Sequence, residues 1–159
     1  FPYTTLFRSS RTQIQKEMVH FQQAWAQKSF KIALDCLTKI LGLGIGLTPT
    51  GDDFITGLLA SFSALQQLPS NFQQLAVLAK ERTNAVSYAE IHEAVNERFS
   101  QLVQRVFLSI ESGNTNEMAQ AVSALEEVGS TSGSDILCGI IFGLKLFCEE
   151  NNHDNSNSN

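Results

Sequence analysis

The sequence predicts an all-α protein, a helical bundle carrying two similar glycine-rich loops that each run into a helix. Three observations predict this. Apolar residues recur at three- and four-residue steps through most of the 159-residue chain. Capping residues and Gly or Pro breaks fall between those stretches. No strong period-2 stretch and no Asn-Gly hairpin signal interrupts them.

The elements follow in order. From Thr12 to about Ala26, Ile14, Met18, Phe21 and Trp25 form one apolar stripe, so Trp25 and the phenylalanines at this spacing read as core. Ser29 is placed to cap a second helix through Ile40. A third starts at Thr50 or Gly51 and runs to about Gln67, where Leu68-Pro69-Ser70 breaks it. A short helix near residues 72–80 follows. Ser87-Tyr88-Ala89-Glu90 has the capping-box pattern and is expected to open a long helix to about Ile110. Ser112-Gly113-Asn114 is a turn, and Asn114 with Glu117 caps a helix to about Glu127. The last helix is expected from about Ser132 to about Glu149. Only residues 82–86 and 42–47 could be extended.

Composition narrows the function classes. The chain has 11 Lys plus Arg against 16 Asp plus Glu, a net charge of −5, whereas nucleic-acid readers carry a basic face. No apolar run approaches the ~20 residues of a bilayer span. Cys36, Cys138 and Cys148 match no zinc or redox spacing and read as incidental thiols of a reducing compartment, so the cytoplasm is the expected location. Residues 1–9, FPYTTLFRS, match the in-frame translation of a short-read sequencing adapter. They are expected to be non-native, with a natural N-terminal portion lost ahead of them. Residues 10–148 form the expected helical domain. Residues 149–159, polar and including His153, read as a loose tail.

The informative segments are LGLGIGLTPTGDDF at residues 41–54 and GSTSGSDILCG at 129–139. Gly42, Gly44, Gly46, Gly51 and Pro49 cannot share a helix, because each glycine costs about 1 kcal/mol relative to alanine and proline more. They form a slim loop feeding a helix N-terminus, whose exposed N–H groups suit a phosphate or carboxylate. Residues 50–59 align without gaps to 132–141 at an offset of 82, sharing [ST]-G-x-D-[FI]-[IL]-x-G-[LI]-[LI]. Gly57 and Gly139 would then let the two helices pack closely. Asp53 and Asp135 would border one pocket, within ~15 Å of each other given helix diameters near 10 Å. An aspartate in a first turn behind a Thr or Ser also simply complements the helix dipole. That bland reading explains neither the glycines nor the repetition.

The chemistry these motifs permit is restricted. Gly46 and Gly51 have P-loop spacing, but Asp52-Asp53 stand where Lys-[Ser/Thr] belongs. The 129–133 segment has Thr131 at the nucleophile position of G-x-S-x-G and no strand before it. Asp53 and Asp135 could instead hold a Mg²⁺ bridging to phosphate. Alternatively they could accept hydrogen bonds from an amide or carbamoyl N–H₂ while backbone N–H groups hold an anionic end. Arg82, beside Thr83 and ahead of Ser87, could supply a cation, or be a plain solvated connector. His92, beside Glu90 and Glu93, reads as a surface histidine.

The first motif, with Gly44, Gly46, Thr48, Pro49, Thr50, Gly51, Asp52, Asp53 and Gly57, resembles the GLGxGLTPSGDDF-x-x-G signature of the AllH-like family. Residues 129–139 resemble its Gly-x-[Ser/Thr]-Ser-Gly-x-Asp motif, and Thr83 to Ser87 lie where a Thr/Ser segment is expected. The resemblance spans roughly residues 30–147, with Ile45 and Thr50 as mild departures. It implies a subunit of a carbamoyltransferase of allantoin degradation, interconverting oxalurate plus phosphate with oxamate plus carbamoyl phosphate alongside two further subunits. On that reading Gly44, Gly46, Thr48, Thr50, Gly51, Asp52, Ser132 and Gly133, with Arg82, Thr83 and Ser87, bind substrate, and Asp53 and Asp135 orient the N–H₂ group or a metal. Two other readings stand beside it. One is a non-catalytic helical scaffold in which the glycines serve packing. The other is an independent Mg²⁺-dependent enzyme acting on a phosphorylated metabolite.

Overall fold

A computed structural model describes the backbone of residues 2–156 and the side chains of residues 9–151. The order is α1 (Pro2–Ala26), α2 (Phe30–Ile40), α3 (Thr50–Ala64), a 3-10 turn (Ser70–Gln73), α4 (Gln74–Arg82), α5 (Ala85–Val95), α6 (Gln101–Ser112), α7 (Thr115–Glu126) and α8 (Ser132–Ser156). No strand occurs among the described residues, so the all-α expectation holds. The two segments that could be extended are an irregular loop before α3 and the α4–α5 connection. The adapter-like string is part of α1 from Pro2 on; Phe1 lies outside the described residues. The last helix continues past its expected end at Glu149 to Ser156. His153's side chain and residues 157–159 lie outside the described residues.

Helix α3 is the axis of the bundle. Thirteen consecutive residues, Thr50 to Phe62, are buried, which requires neighbours on all sides. On one side Phe21, Leu37, Ile55, Leu58, Phe72, Leu75 and Ile91 join α1, α2, α4 and α5 to it. Trp25 stacks on Phe62 with centroids 4.4 Å apart and planes 3° from parallel. On the other side Ala60 and Ile140 pack with Val103, Val106, Ala121 and Leu125 of α6 and α7.

Against α8 the contact is backbone to backbone. A Cβ on Gly57 would stand 1.9 Å from the Ile136 carbonyl oxygen, and one on Gly139 would stand 2.1 Å from that of Phe54. Only glycine permits this approach, and it draws the two helix starts together.

The expected long helix from Ser87 is two helices, and its cap lies elsewhere. Asn84 caps α5, its side chain accepting from the Val86 and Ser87 N–H groups at 3.0 and 3.1 Å, while Ser87 is buried inside the first turn. The chain then breaks at residues 96–100. Glu97 adopts φ +60°, and Ser100 restarts the helix by accepting from the Val103 N–H. Contacts from outside hold this break. Gln73 Nε2 donates to the Val95 carbonyl at 2.5 Å, and the Ser63 hydroxyl donates to Glu97 at 2.7 Å. Helix α3 ends at Ala64, short of Gln67, where Gln66 turns to φ +55°.

Candidate functional site

The starts of α3 and α8 meet at a buried acidic centre. Asp53 is 1% exposed and Asp135 5%. The Thr48 hydroxyl donates to Asp53 Oδ2 at 3.1 Å, and since it has one proton, Ser132, 2.6 Å away, must donate to Thr48. Asp53 is therefore held by Thr48 of its own loop, with Ser132 of the α8 start behind it, and the Asp135 charge reaches Asp53 across the junction. Thr50 and Thr131 lie beside Asp135 and favour its charged form. One oxygen of each carboxylate, Asp53 Oδ1 and Asp135 Oδ2, is buried with no hydrogen-bond partner. Such an orphaned acceptor is costly unless something fills it.

The electrostatics follow from that burial. Desolvation pushes the Asp53 carboxyl up to about 7, the Glu90 and Asp135 charges add to the rise, and Ser132 and Thr48 oppose it. Desolvation also raises Asp135, against the pull of Thr50, Thr131 and Arg11. Glu90, solvent-accessible at the edge, is raised by desolvation and by Asp52. At neutral pH Asp53 therefore exchanges a proton readily, the condition a general base needs.

Asp52, also 1% exposed, is differently placed. Its Oδ1 accepts from the Gly42 N–H at 2.8 Å and its Oδ2 from the Thr83 hydroxyl. Ser87 lies beside it and lowers its pKa without a hydrogen bond of good geometry, though desolvation dominates and raises it. Asp52, Thr83 and Ser87 thus tie the glycine loop to the α4–α5 connection. Asn84 adds a second tie by donating to the Leu47 carbonyl at 2.8 Å.

The remaining expected residues divide. Gly51 and Gly133 commit their N–H groups to the carbonyls of Leu43 and Val128, at 2.8 and 3.1 Å. Their missing side chains also make room for backbone, Gly51 against Ile40 and Gly133 against Leu125. Gly44 at φ +129° packs on Thr50, whereas a Cβ on Gly46, at φ +111°, would meet only the Thr48 carbonyl oxygen at 4.0 Å. Arg82 turns away, donating from Nη1 to the Thr38 carbonyl at 3.2 Å. The arginine beside the carboxylates is instead Arg11, 3.9 Å from Asp135 Oδ1. Nothing in its spacing marks it, because α1 reaches the site only through tertiary packing. Among the described residues no group of three or more His, Cys, Asp or Glu could hold a metal ion.

This arrangement defines an all-α domain whose two glycine-rich motifs converge on one buried carboxylate pair. Compared with models of known protein families, residues 40–144, about two thirds of the chain, match oxamate carbamoyltransferase subunit AllH. The chain belongs to the AllH family. The matched span starts just ahead of the glycine loop and includes both helix starts. No solved structure matches the chain. No helix among the described residues is long and apolar enough to cross a membrane.

Proposed function

We propose that this chain is the subunit of a cytoplasmic oxamate carbamoyltransferase that carries the transfer site, and that the site lies between the starts of α3 and α8. The observation that carries this is the pair of orphaned, buried acceptor oxygens at the two helix starts, Asp53 Oδ1 and Asp135 Oδ2. A carbamoyl N–H₂ group has two protons to donate and no charge, which suits two carboxylate oxygens better than any anion does. On this reading the Gly44–Thr48 backbone, with Thr50 and Ser132, would contact phosphate or carboxylate oxygens. Gly51, Gly133, Asp52, Thr83 and Ser87 support the loop from behind.

In the forward direction the amide nitrogen of oxamate attacks the carbamoyl carbon of carbamoyl phosphate. The new C–N bond forms as the C–O bond to phosphate breaks, phosphate departs with that electron pair, and the nitrogen's proton passes to Asp53. Positioning and electrostatics supply the acceleration. The reverse reaction is phosphate-dependent cleavage of oxalurate. Thr48 bridges the two helix starts and holds Asp53 Oδ2, which leaves Oδ1 for the substrate. Two partner subunits complete the enzyme on this reading. With no group of three or more His, Cys, Asp or Glu among the described residues able to hold a metal ion, no step is assigned to Mg²⁺.

The test is phosphate-dependent oxalurate cleavage by the enzyme assembled with its partner subunits, for Asp53→Asn and Asp135→Asn. Each is expected to lower turnover at least ~100-fold, the scale of a lost general base, with assembly size unchanged. The scaffold reading draws support from Gly51, Gly57, Gly133 and Gly139, all packed against backbone. It predicts normal turnover per assembled complex and weaker assembly in the same variants, which would sink the catalytic assignment.

A further inference from the structure

A cavity opens one helical turn along α3 from Asp53, lined by neither Asp53 nor Asp135. It has a volume of about 390 Å³ and lies between α3, α5, α8 and the start of α6. Ala89, Phe99, Val103 and Ile136 make its apolar walls. Thr56, one turn beyond Asp53 and 9% exposed, belongs to the same wall, and its hydroxyl has no hydrogen-bond partner. Glu90, Glu93, Arg98 and Ser100 form the polar part of the lining. Arg98 gives Nε and Nη2 to Glu93 at 2.5 and 2.8 Å, which leaves Nη1 for another acceptor.

We propose that this pocket seats the carbamoyl acceptor, a small carboxylic acid bearing a primary amide, with its carboxylate on the open edge of Arg98 and its amide between Thr56 and Glu90. Charge selects this orientation. Glu90 interacts electrostatically with Asp52 and Asp53, so the Glu90 side of the pocket repels a carboxylate and favours N–H donors. The amide carbonyl takes the hydroxyl proton of Thr56, one turn along α3 from Asp53, and the amide nitrogen then faces Glu90. The apolar walls cover the carbon skeleton. Thr56 and Arg98 act here as positioning residues for the acceptor. The identity of the acceptor rests on the transferase reading above; the location of its pocket does not.

The test titrates the 159-residue chain with oxamate, and with oxalate as the matching acid that lacks an amide nitrogen, following amide shifts by NMR. Oxamate is expected to bind at least ~10-fold more tightly than oxalate, about 1.4 kcal/mol of discrimination. Thr56→Val and Arg98→Gln are each expected to weaken oxamate at least tenfold without lowering the thermal midpoint. Thr56→Ser should restore binding, which a packing role alone would not require, and Arg105→Gln should change nothing. No oxamate binding, equal binding of oxalate, or unchanged binding in both Thr56→Val and Arg98→Gln overturns the inference. If oxamate binding ignores those variants while Asp53→Asn abolishes turnover in the assembled enzyme, the pocket fails and the transferase reading stands. Normal turnover in Asp53→Asn overturns that reading whatever the pocket binds.

Discussion

A carboxylate held behind two hydroxyls in a dry helix junction pays in stability for its chemistry, and Asp53 is in that position. Its carboxyl is pushed up to about 7, against about 4 in an unfolded chain. Below pH 4 both states hold the proton and there is no penalty. Between pH 4 and 7 the folded protein keeps a proton that the unfolded chain has lost, so stability falls as pH rises. Above pH 7 the penalty is complete, on the order of a few kcal/mol. Asp53→Asn removes the ionisation and keeps the side chain's shape. Denaturant midpoints should therefore show the variant more stable than the parent by roughly 1–3 kcal/mol at pH 8 and equal to it near pH 4. A variant less stable than the parent at pH 8 would show that the Asp53 charge is compensated. Turnover should move the opposite way, which separates an ionisation that serves chemistry from one that serves the fold.

At the level of the helices, the α3–α8 crossing is the contact the site depends on. A methyl group on Gly57 or Gly139 would collide with backbone, not with a movable side chain. Gly57→Ala and Gly139→Ala should each destabilise by about 3 kcal/mol or more, beyond the usual range for overpacking. Gly113→Ala is the contrast: its φ is +68° with nothing near, so about 1 kcal/mol is expected, read from the same unfolding curves. Much of this was legible in the sequence, because local signals set it. The stripes of α1 and α2, the Asn114 cap accepting from the Asn116 and Glu117 N–H groups, and the Gly113 turn each depend on residues a few positions apart. The shared motif also brought Asp53 and Asp135 to one place. The α5–α6 break was not legible, since Gln73 and Ser63 hold it from distant segments and no Gly or Pro marks it. Arg11, Thr56 and Arg98 stayed hidden for the same reason. Each reaches its neighbours through packing that no local spacing records, and Arg82, the visible candidate, lies on a different face.

For the whole molecule, the question is whether two cores behave as one. The first is built from α1, α2, α4 and α5 with Leu146 of α8, the second from α6, α7 and the start of α8, and α3 is a wall of both. Because α3 is buried on all sides, neither core can open without exposing apolar surface of the helix that the other needs. One cooperative transition is therefore expected. The single tryptophan, Trp25, lies in the first core, so its fluorescence reports that side alone, while far-ultraviolet circular dichroism reports every helix. Leu125→Ala removes a fully buried side chain from the second core and should cost ~2–5 kcal/mol. If the cores are coupled, this change shifts the Trp25 transition as far as the dichroism transition, and the denaturant slope stays constant. If dichroism falls first and fluorescence keeps its parent midpoint, α6 and α7 melt as a separate unit. The pocket behind Thr56, which borrows Phe99 and Val103 from that side, would then open before the carboxylate pair does.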